Sequence, residues 1–117
     1  MSSPLKPGTS NAYNITALSL ACEVNDILRD IGPRWKMQVL HNIAAGTKQF
    51  SSLKQAFPSL SDQILGKRLS ELVDDGLIHK IVMQEKVPKR IHYFTSDKGL
   101  ELLKIIDELH KWGLKWQ

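Results

Sequence analysis

The stretch SDQILGKRLSELVDDG, Ser61 to Gly76, constrains the fold more than any other part of the chain. Leu65, Leu69, Leu72 and Val73 recur at helical spacing, and at about 100° per residue Gln63, Lys67, Ser70 and Asp74 fall on the opposite face. Ser61 is placed to cap the helix, Asp62 to favour its first turn and Gly76 to end it. A chain containing this segment must bury one side of an amphipathic helix and leave a polar face outward.

What surrounds the helix limits how that is done. The run LIHKIVMQE is β-branched and partly alternating, and RIHYFTS follows after the cationic turn Lys86-Val87-Pro88-Lys89, so the two read as a hairpin with Pro88 kept out of the ladder. Upstream, Leu20, Val24, Ile27, Leu28 and Ile31 form a helical stripe over about 19–30, closed by Gly32-Pro33. Pro33 is suited to open a second helix carrying Trp35, Val39, Leu40 and Ile43, with Gly46 as its left-handed end. Ser51 or Ser52 is expected to cap a short third helix that carries Leu53 and Phe57 and stops at Pro58. Downstream, Thr95 or Ser96 is expected to cap a last helix. Its Leu100, Leu103, Ile105 or Ile106, Leu109, Trp112 and Trp116 make an apolar band too wide for a helix merely lying on a surface. Core or a second subunit should cover the excess.

A chain of 117 residues suits one domain, expected over 12–117, with the Ser-, Pro- and Gly-rich residues 1–11 as a disordered tail. No apolar run approaches the roughly 20 residues of a membrane span, and the N-terminus lacks the apolar core of a secretory signal, so the expected location is the cytoplasm. The single Cys22 cannot form an internal disulfide and agrees with a reducing compartment. The net charge of +4 favours polyanionic partners without specifying one. His79 and His92 could face each other across the hairpin, but two imidazoles make a poor metal site. No paired nucleophile and base, phosphate-binding glycine loop or catalytic carboxylate pair stands out, so neither enzyme activity nor a cofactor is expected.

Helix, helix, short helix, amphipathic helix, cation-tipped hairpin, helix: this order describes a mainly α winged helix-turn-helix with a small β-hairpin. The fourth helix can enter a major groove about 12 Å wide while the hairpin reaches the neighbouring backbone or minor groove. Several fragments in the same order resemble the HxlR-type transcriptional regulators, relatives of the MarR-like winged-helix proteins. They are Cys22, IGPRWKMQVL, the Gly46, Phe50 and Leu53 positions, Leu60 to Ile78, and VPKRIHYFTSDKG. The likeness runs from Cys22 to about Trp112. Departures include Glu23 for a usual proline, Pro33-Arg34 for Gly-Lys, Gln49 for a common arginine and Gly66 for a common threonine.

The resemblance implies a DNA-binding regulator acting as a homodimer whose terminal helices form the interface; repression by blocking a promoter is the expected mode, with activation as the alternative. Leu103, Ile106, Leu109, Trp112 and Trp116 are the candidate interface residues. A two-fold dimer sets its recognition helices about 34 Å apart and reads an inverted repeat in double-stranded DNA. Candidate recognition-helix contacts are Ser61, Gln63, Lys67, Arg68 and Ser70, glutamine being suited to adenine and lysine to guanine or phosphate. Arg68 could instead pair with Glu71. Lys86, Lys89 and Arg90 are the candidate wing contacts, against a simpler role in keeping a hairpin edge soluble. Arg34, Lys36 and Lys54 could extend the backbone footprint.

Cys22 has two readings, a buried small hydrophobe or a redox sensor, the second because some members of the family use the matching cysteine this way. Trp35, Trp112 and Trp116 are either core or the lining of a pocket for an unidentified small-molecule effector. Two rival functions are a winged helix used for protein contact and a small-molecule-binding protein with secondary DNA affinity.

Overall fold

A computed structural model describes residues 10–117, with side chains from residue 19 onward, as five helices and one hairpin. The order is α1 (Ser10–Ile31), α2 (Lys36–Ala44), α3 (Phe50–Ala56), α4 (Asp62–Asp74), β1 (Ile78–Gln84), β2 (Arg90–Thr95) and α5 (Asp97–Lys115). The expected tail lies outside the described residues except for Ser10 and Asn11, which belong to α1. The chain divides after Pro33 into two units, the first containing α1 and the second running from Arg34 to Gln117.

α4 forms as its periodicity requires. The Ser61 side chain accepts the Ile64 N–H, Leu65, Leu69 and Leu72 are buried, and Gly76 takes a left-handed φ of 74°. Gly76 N–H then bonds to the Val73 carbonyl and Leu77 N–H to the Leu72 carbonyl, which satisfies two end carbonyls and turns Leu77 into the core. α2 ends the same way, with Gly46 at φ 111° and Thr47 N–H on the Asn42 carbonyl. Around α4 the core gathers Val39, Leu40 and Ile43 of α2, Leu53 of α3, and Leu60, Ile78 and Tyr93.

Three helix starts differ from the sequence reading. α1 begins at Ser10, about nine residues before the start expected from its apolar stripe. α2 begins at Lys36 rather than at Pro33, because Trp35 occupies the left-handed region at φ 75° and breaks the helical path. α3 begins at Phe50 without a hydroxyl cap: the Gln49 carbonyl already accepts the Leu53 N–H, so neither Ser51 nor Ser52 caps it. α5 has the expected cap, Ser96 accepting from Gly99 N–H while its own hydroxyl donates to the Gly76 carbonyl.

The hairpin pairs Ile78 with Thr95, His79 with Phe94, Lys80 with Tyr93, Ile81 with His92 and Val82 with Ile91. An irregularity between Val82 and Gln84 then sets Gln84 against Arg90. His79 and His92 therefore do not face each other, which corrects the expectation; His92 Nε2 instead lies 3.0 Å from Gln49 Nε2. Tyr93 N–H donates to the Lys48 carbonyl, so strand β2 is tied to the segment that leads into α3. Burial pushes the Tyr93 phenol above its ordinary pKa.

α1 leaves Leu20, Val24, Ile27 and Leu28 exposed, and Cys22 with them. The buried-hydrophobe reading of Cys22 is thereby overturned for the single chain, and the thiol sits several turns inside α1. On α5, Leu103 and Ile106 are half-buried, whereas Leu109 and Trp112 are exposed, as is Trp116 just past its C-terminal end. Trp35 packs edge-on against Phe57, with ring centroids 5.9 Å apart, and joins the rim of the core.

Candidate nucleic-acid interface

Burying Leu65, Leu69 and Leu72 turns the opposite face of α4 outward. Ser61, Gln63, Lys67 and Ser70 are exposed there, and among the described residues Gln63, Lys67 and Ser70 make no side-chain hydrogen bond or ion pair. A donor-rich face without internal partners can bond to base edges or phosphates without first breaking anything. Gly66 lies beside that stripe, and a Cβ added to it would meet open space. The protein's own packing therefore does not require glycine there.

The hairpin supplies charge. Lys86, Lys89 and Arg90 are exposed, with no acidic partner among the described residues. The Gln84 amide braces the turn by donating to the Pro88 carbonyl at 3.0 Å and to the Lys86 carbonyl at 3.4 Å. Val87 stands at the tip, 95% exposed, beside a cis peptide to Pro88. Between the wing and the start of α3 runs a cleft of about 500 Å³, lined by Gln49, Phe50 and Ser51 on one side and Lys89, Arg90 and Tyr93 on the other. Sequence reasoning missed Gln49 and Ser51 as neighbours of the wing; the only signal was glutamine standing where an arginine is common. Lys48, 5.0 Å from the Phe94 ring centroid, was missed as well.

Three expected contacts take other roles. Lys36, expected on the DNA backbone, is 3% exposed, and its Nζ lies 2.7 Å from Asp75 Oδ2 and 4.0 Å from Glu71 Oε1. A buried ammonium needs a compensating carboxylate; α4 supplies Glu71, and Asp75, which caps the C-terminal end of α4, supplies the other. Arg68 has turned inward: Nη1 pairs with Glu71 at 3.1 and 3.2 Å, and Nε donates to the Arg34 carbonyl at 2.7 Å. Lys54 donates to the Leu60 carbonyl and pairs with Asp62 at 3.4 Å, which holds the entry to α4. Arg34 remains exposed, its guanidinium 5.5 Å from the Trp35 ring centroid. Trp35 itself carries backbone strain of about 1–3 kcal/mol for its left-handed conformation.

A short helix, a turn, a helix with an unpartnered polar face and a cationic β-hairpin define a winged helix-turn-helix protein of the DNA-binding class. A family-wide profile described as HxlR-like helix-turn-helix matches residues 30–117, and the chain belongs to that family of transcription regulators. The HTH-type transcriptional regulator YdzF of Bacillus subtilis (strain 168) is 38% identical over 85 residues, which span 72% of this chain and 77% of YdzF. Among solved structures, a MarR-family transcriptional regulator from Enterococcus faecalis V583 matches with a TM-score of 0.74 and 27% identity, over 82% of this chain and 86% of that one. The redox regulator HypR in its reduced form matches with a TM-score of 0.71 and 29% identity, over 80% of this chain and 91% of that one. No described helix is long and apolar enough to cross a membrane.

Proposed function

We propose that the protein is a sequence-selective repressor that binds an inverted-repeat operator as a homodimer in the cytoplasm and blocks the promoter beneath it. The observation that carries this reading is the pairing of an outward, internally unpartnered stripe on α4 with three unpaired cations on the adjoining wing. In this arrangement Gln63 and Lys67 meet base edges in the major groove, Ser61 and Ser70 reach its margins, and Lys86, Lys89 and Arg90 hold the flanking phosphates. Arg34 is free to extend that footprint. Affinity then rests on counterion release at the wing, and selectivity on α4.

The homodimer reading is supported by the apolar surface that α5 leaves in water. Leu109, Trp112 and Trp116 are 53%, 64% and 69% exposed, and large apolar side chains gathered on one helix mark an association surface. Oxidant control through Cys22 is supported by the exposure of the thiol and by the likeness to HypR. As the only cysteine, Cys22 would form a disulfide with the partner copy or with a small thiol.

A mobility shift with genomic fragments at two salt concentrations tests the reading, with light scattering on the free protein for its oligomeric state. A tight, salt-sensitive complex on a few fragments, formed by a dimer, is expected. Weak binding shared by every fragment would favour a winged helix used for protein contact.

A further inference from the structure

We propose that Lys36 is a positioning residue for the recognition helix: from its buried place at the start of α2 it sets, through Asp75 and Glu71, the rotation of α4 about its own axis. The inference rests on the reading of α4 as the helix that meets base edges. Lys36 is 3% exposed, and its ammonium is 2.7 Å from Asp75 Oδ2 and 4.0 Å from Glu71 Oε1. Stability alone gives little reason for a charge here, because a buried ion pair roughly breaks even against apolar packing of the same volume. What the pair adds is direction, since a 2.7 Å contact fixes where the carboxylate must lie.

The neighbouring contacts act on the same stripe of α4. Arg68 Nε donates to the Arg34 carbonyl at 2.7 Å, and Arg68 Nη1 holds the Glu71 carboxylate that also faces Lys36. Residues 34 and 36 thus grasp α4 from both sides of Trp35, the one non-glycine residue at positive φ among those described. A strained residue held between two such contacts indicates that the turn is kept for the directions it imposes. From α5, Lys98 Nζ donates to the Asp75 carbonyl at 2.6 Å and secures the same end of the helix.

Position on the helix links this clamp to recognition. At about 100° per residue, Arg68, Glu71 and Asp75 form a stripe roughly 100° around from Gln63, Lys67 and Ser70. Side chains reach about 5–6 Å from a helix axis, so a rotation of about 20° carries their tips by about 2 Å. A hydrogen bond to a base edge does not survive that displacement, whereas attraction between lysine and phosphate hardly changes over it.

The test uses Lys36→Met and, at a side chain that is one-third exposed, the milder Asp75→Asn, each in the full chain. Binding is measured well below the melting temperature, against a duplex selected by the wild type from random sequence and against a scrambled duplex. The ratio of the two affinities should fall at least tenfold in both variants, with scrambled-duplex affinity and salt slope unchanged. An unchanged ratio in a folded variant would assign the pair to stability and overturn the proposal, and so would failure of Asp75→Asn to fold. A uniform loss for Lys36→Met with a shallower salt slope would overturn it too, by placing Lys36 on a phosphate. If the wild type itself does not discriminate, the reading of α4 fails first and the proposal with it.

Discussion

Removing two charges from the wing by Lys89→Ala and Arg90→Ala isolates the electrostatic part of DNA binding. Both side chains are exposed and have no acidic partner among the described residues, so their loss breaks no internal ion pair and should leave folding intact. Each phosphate neutralised on B-DNA contributes about 0.9 to the slope of log affinity against log salt, so two contacts contribute about 1.8 per protomer. Between 50 and 200 mM salt, a slope of about 1.8 corresponds to a roughly 12-fold change in affinity. In a dimer with both wings engaged the contribution doubles to about 3.6, or roughly 150-fold over the same range. The assay is fluorescence anisotropy of a labelled duplex titrated at several salt concentrations, with selected and scrambled sequences in parallel. The double variant should lose affinity for both and flatten both slopes equally, leaving their ratio intact. An unchanged slope would refute the wing's contact with the backbone. Loss confined to the selected duplex would show that the wing reads sequence rather than charge.

Four further outcomes follow from single positions. Gly66→Ala should stabilise the protein by up to about 1 kcal/mol in thermal unfolding, since the added Cβ meets open space in a helix interior and alanine has the better propensity; a lowered melting temperature would contradict the packing around α4. Gly99→Ala should cost about 3 kcal/mol or more, because its Cβ would stand 2.3 Å from the Leu77 carbonyl oxygen and 2.8 Å from Thr95 Cγ2; wild-type stability would refute the close approach of α5 to Leu77 and to the end of β2. Burial raises the Tyr93 pKa above 10.0, so the folded state holds that proton more firmly than the unfolded chain. Its stabilising contribution is complete below about pH 10 and is lost as pH rises through the folded value, and Tyr93→Phe should flatten the alkaline fall in denaturation midpoint. Cys22→Ser should abolish any effect of diamide on operator binding without changing affinity under reducing conditions; a surviving oxidant response would remove Cys22 as the sensor.

How far the fold could be read from residues varied along the chain. α4 was legible almost residue by residue, because its leucine spacing, serine cap and terminal glycine all act within one or two turns. The hairpin was legible as two runs and a turn, but not in register: the irregularity between Val82 and Gln84 places His92 opposite Ile81. The start of α2 was misread because nothing local to Trp35 signals a left-handed tryptophan. Its conformation goes with packing against Phe57 and with Lys36 meeting Asp75.

The candidate interface divides in the same way. Gln63, Lys67, Lys86, Lys89 and Arg90 could be placed on outward positions from periodicity and turn chemistry alone. Lys36, Arg68 and Lys54 could not be told from them, since a cation in a sequence looks the same whether it reaches solvent or a carboxylate.

By itself the sequence determined the order of elements, the apolar face of α4 and the cationic turn that follows it, all of which depend on neighbours within a few residues. Only the tertiary structure decided that Lys36 turns inward to a residue 39 positions away, that Arg68 closes on Glu71 and the Arg34 carbonyl, and that Cys22 stays in solvent. The physical reason is that a side chain's charge and size are local properties, whereas its partner is set by which distant segments the packed core brings within about 3 Å of it.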